Sequence, residues 1–169
     1  MSVLAWIEQT ALSIWIREAT TLFAFPFILF LHTLGLGFLV GISVAVNLWI
    51  LGFANRYPVA PMQQFFPLMW IGFWVNAVSG LLLLVAYPAK ALTDPVFYIK
   101  IVLITAAVLL LLLVKKAVFV SDDPTRLFEP AKRIKIFAVT ILLLWTGAIL
   151  SGRLLAYTYN IMMTGDIQS

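Results

Sequence analysis

Residues 27–53 read FILFLHTLGLGFLVGISVAVNLWILGF, an apolar stretch with no formally charged side chain that holds the chain's only histidine, His32. As a helix it extends ~40 Å, enough to cross a bilayer with some tilt. A polar side chain inside such a span is costly and normally faces the bundle interior. His32 is therefore the first residue to explain, and the remaining apolar segments read as walls around it.

Composition fixes the class. Of 169 residues, 63% are hydrophobic and 11% charged, and the mean hydropathy is +1.07. A soluble domain of this size cannot bury that much apolar surface. The expectation is one all-α domain over residues 1–169, an integral membrane four-helix bundle with an N-terminal interfacial amphipathic helix. Cysteine is absent, which excludes disulfides, thiolate metal sites and a cysteine nucleophile. The net charge of +4 does not indicate nucleic acid, because the basic residues cluster beside the apolar segments, where they set topology.

Outward from the first span, residues 1–20 place Val3, Leu4, Ile7, Ala11, Ile14 and Trp15 at helical spacing, as in a helix lying against the bilayer, with Ser2 available to cap it. Pro26 separates this helix from, or kinks it into, the first span, about 27–53. The others are expected at about 65–87, 96–114 and 136–159. Within the first span Gly37 and Gly41 form a GxxxG pair, a weak signal that suits dimerisation or intrachain packing equally. His32, Gly35, Leu39 and Ser43 share one helix face. A glycine one turn from the histidine leaves room for something flat. Asn76 in the second span is expected to face inward and hydrogen bond to another helix.

With four spans, Arg56, Lys115, Lys116, Arg126, Lys132, Arg133 and Lys135 fall on one side and only Arg17 and Lys90 in the loops of the other. The positive-inside rule then puts both termini outside the cytoplasm, in the periplasm if the membrane is a bacterial inner membrane. This orientation brings three basic side chains to one layer. His32, Lys100 and Arg153 each lie one to two turns below the outer surface, roughly 6–9 Å along a helix. No acidic residue of the sequence falls at that depth.

A bound anion would neutralise such a cluster, and heme b fits the residue types. Imidazole can ligate iron, two cations can pair with the propionates, Gly35 and Gly80 can make space, and Phe25, Phe97, Trp145 and Tyr157 can pack on the ring. One histidine rules out bis-histidine ligation within a protomer. Each residue also has a plainer reading. The histidine can hydrogen bond to a carbonyl or to Ser79, and Lys100 and Arg153 can snorkel to the headgroups. Trp145 and Tyr157 can be packing and interfacial residues.

The pattern of His32 followed by Gly41, then WIGFWVNAVSGLLLL and FYIKIVL around Lys100, resembles copper-resistance D-type membrane proteins and the four-helix, heme-dependent protoporphyrinogen oxidases. The ending WTGAILSGRLLAY looks closer to uncharacterised four-helix relatives of these. The resemblance spans about residues 27–158. It implies heme ligation by His32 and a functional role for Lys100, and gives Arg153 no inherited role.

No HExxH, Walker loop, dinucleotide fingerprint or GxSxG is present, and no carboxylate lies inside a span. The expected function is thus heme binding for electron transfer or redox chemistry near the outer face, with metal ligand His32 and enzymatic activity undecided. The expected partners are membrane lipid and a homo-oligomer or larger membrane redox complex. The alternative is a copper-handling protein, with Met162 and Met163 as extra donors, or a scaffold subunit of a membrane assembly.

Overall fold

Prolines, a threonine, an aspartate and a glycine set where the helices begin and end. The computed structural model describes residues 3–19, 21–53, 60–119 and 131–165, with the backbone alone at 3, 60, 61, 119 and 156–165. The N-terminal segment forms two helices, α1 (Val3–Glu8) and α2 (Ala11–Glu18), rather than the single one expected. Thr10 causes the break. Its hydroxyl donates to the Ile7 carbonyl at 2.7 Å and accepts from the Ser13 N–H at 3.3 Å, capping α2. Ser2, the expected cap, lies outside the described residues.

Helix α3 (Phe25–Leu51) starts with Pro26 in its first turn, where the missing N–H is harmless, and stops at Gly52 with φ 102°. That left-handed glycine lets its own N–H return to the carbonyls of Leu48 and Trp49. A short α4 (Ala60–Gln63) precedes α5 (Phe66–Ala86), and Pro88 then ends one helix and opens the next, α6 (Pro88–Thr93). Asp94 Oδ1 accepts from the Val96 N–H at 2.8 Å and caps α7 (Pro95–Phe119). The last helix is α8 (Lys132–Gly165).

Four helices are long and apolar enough to cross a membrane: Phe25–Leu51, Phe66–Ala86, Pro95–Val118 and Lys132–Leu155. The chain is an all-α, multi-pass membrane protein built on a four-helix bundle. The third span runs beyond the expected Val114. Lys115 stays helical with its ammonium 4.8 Å from the centroid of the Phe66 ring. The fourth starts at Lys132 rather than Ile136.

Packing divides the bundle into two hairpins, α3 with α5 and α7 with α8, joined along α3 and α8. Glycines draw α3 onto α5. A Cβ on Gly35 would stand 2.6 Å from the Asn76 backbone nitrogen, and one on Gly72 would stand 3.0 Å from the Gly35 carbonyl oxygen. Gly37 and Gly41 meet nothing within 4 Å among the described residues, so the GxxxG pair takes no part in this packing. Between α3 and α8, the Trp145 indole donates to Ser43 Oγ at 2.9 Å, and both residues are buried. Helices α5 and α7 touch only sparsely, and Lys115 over Phe66 places that contact at the end that carries the basic residues.

The N-terminal helices cover the other end. Ser13 donates to the Ala86 carbonyl at 3.4 Å, Ile16 packs with Ile28 and Ala86, and α1 lies on α6. At this end the gap between α5 and α7 becomes a cavity.

Candidate functional site

The cavity has a volume of about 480 Å³ and is walled by α3, α5, α6, α7 and the outer part of α8. That is within the ~300–1,000 Å³ of small-molecule sites. Its deep end is apolar, at Leu39, Phe73 and Ile104, and its outer end carries Phe25 and Tyr87, whose rings meet edge to face at 5.9 Å. His32, Lys90 and Lys100 line it, and among the described residues no carboxylate does.

His32 is fixed by α5. Its Nδ1 lies 3.0 Å from the Asn76 carbonyl oxygen and 3.2 Å from Ser79 Oγ. The carbonyl can only accept, and the Ser79 hydroxyl has its own acceptor, the Val75 carbonyl at 2.6 Å. The network therefore puts a proton on Nδ1, and in the neutral ring the lone pair is then on Nε2. The Asn76 amide completes the clamp by donating to the His32 carbonyl at 2.7 Å. The imidazole rests on Gly80, where a Cβ would come within 3.1 Å of Cε1. Among the described residues, Nε2 takes no hydrogen bond.

Lys100 enters from α7 and lies against Gly152 of α8, where an added Cβ would stand 3.7 Å from Nζ. Among the described residues no acidic side chain is recorded against it. Lys90, on α6, adds a second ammonium at the outer end, and partial burial there pulls it below the usual lysine range.

The expected cluster thus separates. His32 and Lys100 line one cavity, as do Phe25, Phe97 and Gly80. Arg153, next to the lining residue Gly152, is exposed and does not line it. Gly35 leaves space for α5 rather than for a ligand, and Gly80 leaves space for the imidazole. Trp145 is buried in the core and does not line the cavity, and its indole donates to Ser43 Oγ. Tyr157, Met162 and Met163 belong to the stretch of α8 described by backbone alone.

Lys90 lines the cavity from a helix where the sequence predicts a loop. Its signal was Pro88, which turns that loop into a helix roofing the cavity. The Asn76 clamp was visible only as an inward amide.

Such an arrangement can offer one neutral imidazole nitrogen to a metal or a proton, inside an apolar cleft that favours negative charge. Fold and site together define a multi-pass four-helix membrane protein with a cationic, apolar cavity at one end. Compared with known protein families, with curated proteins and with solved structures, the chain finds no match in any of the three.

Proposed function

We propose that this protein binds heme b in the cavity at His32 and serves electron transfer or redox chemistry near the non-cytoplasmic face of a bacterial inner membrane. The observation that carries the reading is the histidine itself. Its Nδ1–H is held by a backbone carbonyl, the usual support for a metal-ligating imidazole, and this leaves Nε2 as the donor. The lining suits the rest of the group. Aromatic and aliphatic side chains match the macrocycle, and Lys100 and Lys90 match its carboxylates. Bound heme supplies a one-electron couple. The protein's own part is to hold the imidazole in one tautomer, to offer ammonium groups to the propionates and to keep the cleft apolar.

A bare copper ion fits less well. No group of three or more His, Cys, Asp or Glu side chains capable of holding an ion occurs among the described residues, whereas a porphyrin brings four nitrogens of its own. The resemblance around His32 and Lys100 to heme-dependent membrane oxidases points the same way.

The orientation rests on charge. Lys115, Lys116, Lys132, Arg133 and Lys135 sit at the end opposite the cavity, and the positive-inside rule supports a cytoplasmic position for that end. Cysteines at Thr93 and Ala131 should then show opposite accessibility to an impermeant thiol reagent, and equal labelling from outside would overturn it. The heme reading is tested by the absorption spectrum of the purified protein, oxidised and then reduced. A Soret band with reducible visible bands is expected. A featureless spectrum after expression with ample heme would remove the proposal.

A further inference from the structure

The cavity is roofed at its outer end and closed on three of its sides. Helix α6 lies across the top, with α1 packed on it. Contacts between α3 and α5, between α7 and α8 and between α3 and α8 shut the bundle on those faces. The fourth side, between α5 and α7, lacks such a seam.

Two residues mark the opening. Leu81 on α5 and Ile101 on α7 both line the cavity, yet they are 62% and 46% exposed. Each belongs to the cavity wall and to the outer surface at once. Leu81 is five residues from the end of α5 and Ile101 six from the start of α7, roughly 7–9 Å into the spans. That depth is in the acyl-chain layer rather than in water. Two other exposed lining residues, Leu29 and Tyr87, lie nearer the outer end, where an aqueous entrance would be.

We propose that the cavity is entered sideways from the membrane, through a portal between Leu81 and Ile101, and that it takes a membrane-dissolved anionic amphiphile. Charge complementarity selects the ligand class. A carboxylate-bearing molecule carried in the bilayer meets Lys100 one position before the Ile101 lip, and its apolar body continues toward Leu39 and Phe73. For the identity of that molecule as heme, the inference rests on the function proposed above. The portal itself does not.

Two measurements in liposomes separate these parts. In the first, a bimane label is placed at Ala77→Cys, a cavity-lining position, and at Val78→Cys, an exposed one on the same helix. Phosphatidylcholine with brominated acyl chains and aqueous iodide serve as quenchers. A portal to lipid predicts bromolipid quenching at position 77 comparable with that at 78, and weaker once Leu81→Phe and Ile101→Phe narrow the gap. Quenching at 77 by iodide but not by bromolipid would overturn the portal.

In the second, hemin is supplied from donor vesicles or from aqueous albumin. The two phenylalanine substitutions should slow uptake and release from the bilayer by the same factor, about tenfold. Unchanged rates would also overturn it. No hemin uptake by the wild type, with position 77 still quenched by bromolipid, would keep the portal and remove the heme reading.

Discussion

The same four helices pack tightly at one end of the bundle and part at the other. At the basic end Trp49, Ile50, Phe66, Met69, Val114, Val118, Ala138 and Ile141 form a continuous buried core, and Lys115 lies over Phe66 to tie α7 to α5. Between the two ends each hairpin is drawn in on itself. Gly35 and Gly72 bring α3 onto α5, and Gly147 lets Leu103 of α7 settle on α8, where a Cβ would come within 3.2 Å of the leucine. Tight pairing within the hairpins leaves α5 and α7 apart. The cavity is thus a consequence of close packing elsewhere.

The contrast between the ends can be broken most severely at the histidine. His32→Ala should abolish heme binding while the bundle still folds, because no other imidazole exists in the chain. Heme titration with helicity measured alongside checks this, and retained affinity would show that the ligand is not held at His32.

A smaller effect is expected from glycines on opposite faces of α3. Gly35→Leu should lower stability by about 3 kcal/mol, because the added side chain meets backbone of α5 that cannot step aside. Gly37→Leu adds bulk to an open face and should leave the unfolding transition nearly unmoved. Thermal unfolding in detergent compares them. Similar midpoints would mean that α3 and α5 are not in close contact.

The smallest expected effect tests the division between lining and exposed cations. Lys100→Met should weaken heme retention about ten- to a hundredfold, the loss of one charge-assisted hydrogen bond at about 1.5–3 kcal/mol. Arg153→Met should change retention little, since Arg153 is outside the lining. Equal losses from both would return Arg153 to the site.

The sequence was most legible where one physical effect dominates. Four spans follow from apolar runs that lipid solvates, and the structure moves their ends by only a few residues, except where lysines remain helical at 115 and 132. Depth was legible for the same reason, since counting residues from the membrane surface put His32 and Lys100 in one layer. Rotation about the helix axis was not. Arg153 adjoins the cavity residue Gly152, and one residue's turn of 100° carries it outward. A glycine likewise does not reveal whether the space it leaves serves a ligand, a side chain or another backbone. Gly35 and Gly80 differ in that respect alone.

The His32 clamp has a consequence for how the two hairpins hold together. Every recorded hydrogen bond of the imidazole goes to α5, so its orientation is complete within the first hairpin, whereas Lys100 arrives with the second. A ligand touching both residues is a staple across the bundle at the end where α5 and α7 have no seam. Its affinity then counts as mechanical cohesion. At a free concentration a hundred times its Kd, such a staple adds about 2.7 kcal/mol to the folded assembly, and losing it loosens one end of the bundle before the other.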